Sequence, residues 1–192
     1  MTTSPTMTRL ARWSGVLAGL CIGLPAAVEA FTGETAATSF VLGVSPAFAV
    51  PLLVVLHLRQ SAVTGPFGAA GFTVNAIGLG LFGGAAFSLN LVLFHAGEAV
   101  LDDLLAGATR PALLGSALVF AVGTVLFGIA MVRAGIHPRV PAVAYAVALP
   151  ALALAAPLPD TPLTSAVHVV AGASVVWLAG SLTERVPAHS PA

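Results

Sequence analysis

Phe40-Val-Leu-Gly-Val-Ser-Pro-Ala-Phe-Ala-Val-Pro-Leu-Leu-Val-Val-Leu-His-Leu58 contains no carboxylate and no lysine or arginine, and Arg59 follows it at once. A run of about 20 apolar residues is what an α-helix needs to cross the hydrocarbon core of a bilayer. Inside lipid the backbone has no water to bond, and nothing here alternates as barrel strands do, so a helix is the form that remains. Five further runs share this character, near residues 13–31, 72–95, 111–132, 140–158 and 163–182. The gaps between them are short and carry turn residues: Thr32-Gly33, Gly65-Pro66, Gly135 with Pro138, and Pro157 with Pro159. The expected fold is all-α, one integral membrane domain over residues 1–192 built from six transmembrane helices.

Charge gives the expected orientation. All seven basic residues are arginine. Arg9 and Arg12 precede the first run, Arg59 follows the second, Arg133 and Arg139 separate the fourth from the fifth, and Arg185 follows the sixth. Only Arg110 falls in a gap of the other parity. Cationic loops stay on the cytoplasmic side, so both termini are expected there. Glu29, Glu34, Glu98, Asp102, Asp103 and Asp160 then lie on the outer side, and Glu184 on the inner side. Only 7% of residues are charged and mean hydropathy is +1.02, against roughly a quarter charged in soluble domains. No basic patch suits nucleic acid; the lipid bilayer is the expected partner. The single cysteine, Cys21, can form no intrachain disulfide.

Two segments admit a second reading. Arg9 and Arg12, the apolar run 15–24 and the small-residue end Val28-Glu29-Ala30 resemble a secretory signal peptide. Cleavage before Phe31 would leave five helices and an external N-terminus. Residues 98–105 set Val100, Leu101, Leu104 and Leu105 against Glu98, Asp102 and Asp103. That pattern fits a short helix on the outer leaflet, with a solvated acidic loop as its alternative.

Small residues mark the packing faces. Gly15, Gly19 and Gly23 recur every fourth residue in the first run, and Ala76, Gly80 and Gly84 in the third. Such faces let helices approach closely in lipid, where apolar burial does not favour helix over acyl chain. Packing within the bundle is the plain expectation, and a homo- or hetero-oligomer is the alternative. Gly78, Gly80 and Gly83 also spell GxGxxG, but no strand precedes them, so a dinucleotide loop is excluded. Pro25, Pro46, Pro51 and Pro150 are expected to kink their helices.

Polar groups within spans are costly and so point to function. Glu29, His95 and His168 share one level near the outer face, and Glu98 lies three residues beyond His95. Imidazole with carboxylate suits a divalent metal, and the histidines alone suit a haem; Glu29, His95, His168 and Glu98 are the candidate ligands. No HExxH or paired-cysteine spacing supports them, and no cofactor is identified. Glu29, His95 and His168 could instead relay protons. Asn75 and Asn90 are expected to face the bundle interior, and His57 to reach the headgroups beside Arg59. No serine has a histidine and an acid arranged for nucleophilic catalysis.

Residues 123–139, Gly123-Thr-Val-Leu-Phe-Gly128-Ile-Ala-Met-Val-Arg133-Ala-Gly135-Ile-His137-Pro138-Arg139, resemble a helix–turn–helix segment of actinobacterial multi-pass membrane proteins of unknown function. Residues 172–180 are loosely similar too. The resemblance implies about six helices and supplies no catalytic residue. His137 stands where an apolar residue is expected. The functional expectation is a non-enzymatic component of the bacterial cell membrane, an accessory or scaffold subunit. A small proton-linked transporter is the alternative, and a metal- or haem-binding membrane enzyme the third.

Overall fold

The computed structural model describes residues 3–158 and 161–182. Asp160, Glu184 and Arg185 fall outside them. The described chain is all-helical: α1 (Pro5–Thr32), α2 (Ala36–Phe87), α3 (Glu98–Ala106), α4 (Thr109–Ala134), α5 (Arg139–Ala155) and α6 (Pro162–Gly180). Helix starts follow local chemistry. Ser4 Oγ accepts from the Met7 amide ahead of Pro5, and Thr35 with Thr38 and Thr161 with Thr164 form reciprocal caps.

The expected second and third spans are one element, α2, broken at Gly65. There φ is 54° and ψ −150°, a backbone region that only glycine enters without strain. Pro66 then starts the second limb. The gap expected across 59–71 is therefore helical except at this one point, because Arg59, Gln60, Ser61 and Ala62 do not interrupt a helix. The second limb (66–87) continues as a π turn, Ser88–Val92, and a 3₁₀ turn, Leu93–His95. At the other short corner Gly135 takes the left-handed conformation, with its amide bonded to the Met131 carbonyl, and Pro138 caps α5.

Contacts run in sequence and then close. In α1, Ser14 bonds the Phe48 carbonyl in the first limb of α2. That limb (36–64) meets the second through Pro46 and Gly83 and through His57 and Phe72. Gly71 and Gly78 of the second limb lie on α4, α4 packs on α5, α5 on α6, and α6 returns to α1. The pairs Gly71–Leu126, Asn75–Gly123 and Gly78–Phe120 show that neighbours run antiparallel. The result is a closed circuit of six helical passes.

Gly19 on α1 faces Gly172 on α6 so closely that a β-carbon on either would collide with the other's carbonyl oxygen. Gly15 sits equally tightly against Leu52 and Ala179, while Gly23 makes ordinary contact with Val169. Gly80 and Gly84 do not pack within the chain: a β-carbon at either meets nothing among the described residues within 4 Å. The packed face of that limb is Gly71, Asn75 and Gly78 instead.

Among the described residues four helices are long and apolar enough to cross a membrane, α2 and its extension spanning 60 residues as one of them; α5 is apolar and shorter. The surface agrees with that composition. Leu10, Trp13, Phe31, Val147, Leu163 and Trp177 are among many large apolar side chains pointing outward, whereas Thr124, Gln60 and Asn75 are fully buried. A soluble protein rarely exposes a continuous apolar belt; for a lipid-facing surface it is the favourable arrangement.

Candidate functional site

The two ends of the circuit differ in charge. Arg59 donates to Thr8 near the start of α1, and Arg133 lies 5.1 Å above the Phe67 ring. Arg9, Arg12 and Arg139 occupy the same end by position in their helices. There the interior is filled by Leu56, Phe127, Met131 and Leu178, none of them exposed.

Toward the opposite end the circuit encloses a partly open cavity of about 970 Å³, to which every helix contributes. Its walls are apolar: Leu52, Leu53, Leu79, Phe82, Phe120 and Leu149. Its charged groups gather at the level of the helix ends, Glu29 from α1, Glu34 from the turn after it, Asp102 from α3 and Arg110 from α4, together with Thr164 and His168 from α6. The acids outnumber the single arginine, so the rim attracts cations. Ser39 donates to Glu34 at 2.6 Å and holds that carboxylate. The His168 Nδ1–H donates to the Thr164 carbonyl at 2.9 Å, which leaves Nε2 as the acceptor in the neutral ring. The π turn carries Leu89 and Asn90 into the wall, and the Asn90 amide donates back to the Ala86 carbonyl.

Of the residues expected at one outer level, the structure brings Glu29 and His168 to the same cavity and leaves His95 off it. His95 is exposed and packs edge-on against Phe94, ring centres 5.1 Å apart. The Glu98 side chain lies outside the described part. Among the described residues no group of three or more histidine, cysteine or carboxylate side chains is placed to hold a metal ion; the ligand set expected from sequence includes Glu98, which lies outside that search.

Two interior histidines depart from expectation, while Asn75 faces the bundle interior as expected. His57 does not reach toward headgroups; its ring stacks on Phe72 at 4.1 Å with Nδ1 buried. Asn75 donates to the Tyr145 hydroxyl at 2.7 Å and ties α2 to α5 at the cavity floor. His137, the residue that turn chemistry left unexplained, is 4% exposed, with Nε2 3.3 Å from the Leu56 carbonyl. It pins the α4–α5 corner to α2. The sequence signal was its presence in a corner otherwise accounted for by Gly135, Pro138 and two arginines.

Burial holds the His137 imidazole below its ordinary value near 6.5; the Leu56 carbonyl opposes this and the Arg59 charge adds to it. The unfolded chain therefore takes up this proton more readily than the folded one. Stability is untouched well above pH 6.5. It falls as pH drops below that value, by up to about 1.4 kcal/mol per pH unit, until the folded ring itself titrates. Wild-type protein should lose more thermal stability than His137→Gln between about pH 7.5 and about pH 5.5; equal losses would refute the assignment.

No protein-family profile matches this chain, and neither a curated protein nor a solved structure is detectably similar to it.

Proposed function

We propose that this is a six-span protein of the bacterial cell membrane that binds a small amphipathic cation in its axial cavity and moves it across the bilayer. The cavity carries the reading. Its volume, about 970 Å³, is at the upper end of the range for small-molecule pockets of about 300–1,000 Å³. Apolar walls beneath an acid-rich rim complement an apolar body with a positive head. A subunit serving only as a scaffold needs a packed interior, so the cavity moves the balance from the accessory role to a transporter. In this reading the protein acts without chemical conversion of its ligand.

Tetraphenylphosphonium is a suitable probe, titrated against the detergent-solubilised protein. Binding should be saturable and weaken by roughly tenfold, about 1.4 kcal/mol, in Glu29→Gln, while His95→Ala, off the cavity, leaves it unchanged. Equal affinity for an anionic amphiphile of the same size would sink the cation assignment.

The arginine-rich end is the cytoplasmic one in this reading, with both termini there and the cavity mouth outside. Support comes from the charge segregation of the fold and from Trp13 and Trp177, exposed near the arginine-rich end as interfacial tryptophans are. Reporter fusions after Arg59 and Arg139 should register cytoplasm, and those at Glu34 and Asp103 the exterior. Inversion at two of these sites would overturn the orientation.

One observation favours association as well. The open face at Gly80 and Gly84 borders an apolar groove lined by Gly43, Ala47, Val50 and Phe87, and a second helix could approach there closely.

A further inference from the structure

The faces that line the cavity do not stop at its floor. On the first limb of α2, Leu42, Pro46, Ala49, Leu53 and Leu56 point into it, recurring at the three- and four-residue steps that keep one side of a helix. The next position on that side is Gln60. On the second limb, Leu79, Phe82 and Ala86 line the cavity, and one turn below Leu79 is Asn75. Both limbs thus continue their cavity-facing stripe toward the arginine-rich end with carboxamides where apolar side chains would suffice for packing.

These amides are poorly satisfied. Among the described residues, fully buried Gln60 finds no hydrogen-bond partner for its Oε1 or Nε2, fully buried Asn75 finds none for its Oδ1, and half-buried His57 finds none for its Nδ1. Each such group costs about 1–3 kcal/mol relative to a paired one, so as packing elements they are a liability. Aromatic rings adjoin His57 and Asn75: Phe72 stacks on His57, Phe127 lies 6.3 Å from Phe72 and 6.4 Å from Tyr145, and the Tyr145 hydroxyl accepts from Asn75. Free amide oxygens together with aromatic faces are the combination that holds an organic cation stripped of its water.

We infer that the cavity is the outer half of a translocation path, and that Asn75, Gln60 and the rings of Phe72, Phe127 and Tyr145 form its inner half. It receives the ligand's cationic head on the way to the arginine-rich face. In this structure the inner half is sealed by Leu56, Phe127 and Met131, all fully buried. Opening that seal hydrates the orphaned amides and removes their cost, which favours the second state independently of ligand. The inference rests on the cavity reading for the nature of the ligand, but not for the existence of the path.

Substituted-cysteine accessibility tests it. Gln60→Cys and, as a cavity-wall control, Leu53→Cys are made in a Cys21→Ala background. Membrane vesicles of both orientations are exposed to a membrane-impermeant trimethylammonium methanethiosulfonate. Leu53→Cys should react from the acid-rich side, and Gln60→Cys from the arginine-rich side. A Gln60→Cys that reacts from neither side, or only from the acid-rich side, makes the cavity a blind pocket and overturns the path. Gln60→Leu guards against a folding artefact. It should match or exceed wild-type thermal stability and keep tetraphenylphosphonium binding while losing uptake of that cation into proteoliposomes. Unchanged uptake refutes the role of Gln60. Absent binding in the wild type would instead refute the cavity's ligand, leaving the accessibility result to stand or fall separately.

Discussion

Gly19→Leu lowers the unfolding temperature of the detergent-solubilised protein sharply, while Gly80→Leu leaves it where it was. The difference follows from what each new side chain meets. At Gly19 the first added carbon collides with the Gly172 carbonyl oxygen and lies 2.7 Å from Val176 Cγ2 and 3.0 Å from the Val176 amide nitrogen. Two of these three atoms are backbone and cannot rotate aside, so α1 and α6 must separate. Overpacking in a filled core costs about 1–3 kcal/mol, and a seam that closes the whole circuit belongs at the upper end of that range. At Gly80 nothing lies within 4 Å among the described residues, and substitution there should stay within about 0.5 kcal/mol. The second variant also reads the association state: if the Gly80 and Gly84 face joins two copies, Gly80→Leu shifts the particle mass to that of a monomer at unchanged stability. Equal loss of stability in both variants would mean that the glycine contacts of α1 and α6 do not hold the bundle closed.

That contrast also shows how far sequence carries. The every-fourth-residue spacing at Gly15, Gly19 and Gly23 marked a close-packing face, and the structure puts Gly15 and Gly19 in such contacts. The same spacing at Gly80 and Gly84 marked a face where an added β-carbon meets nothing among the described residues. Spacing fixes which residues share a side of a helix; the rotation of that helix against its neighbours depends on all of them at once. The six helical passes and the turn at Gly65 were legible because apolar length and glycine chemistry are local. The helical continuation through Arg59 and Gln60 was not, since a charged residue ends an apolar run without ending a helix. Glu29 and His168 were legible as polar groups at one common level, and both line the cavity. Their meeting with Glu34, Asp102 and Arg110 around one cavity was not, because the cavity belongs to no element singly. Whether His95 would join them was not legible, because its helix ends in a π and a 3₁₀ turn, which change its rotation from that of a regular helix.

Tyr145→Phe should destabilise the protein by about 1–3 kcal/mol, and adding Asn75→Leu should restore most of the loss. In the wild type the Asn75 amide donates to the Tyr145 hydroxyl at 2.7 Å in a fully buried position. The net value of an interhelical hydrogen bond in membrane proteins averages only about 0.6 kcal/mol, which alone would make the single variant nearly silent. The larger figure applies because the phenylalanine strands a donor on a side chain whose Oδ1 already lacks a partner, and the full desolvation penalty of that donor is then exposed. Removing both polar partners removes the penalty, so the double variant should be more stable than Tyr145→Phe alone. Additive losses in thermal unfolding would show that Asn75 is satisfied by some other group. Asn75→Leu also separates stability from transport. Its leucine occupies the stripe below Leu79 with no group to receive a cationic head, so the double variant should fold, bind tetraphenylphosphonium in the outer cavity and fail to pass it inward. A packing role for Asn75 predicts the opposite pairing, in which uptake survives whenever the fold does.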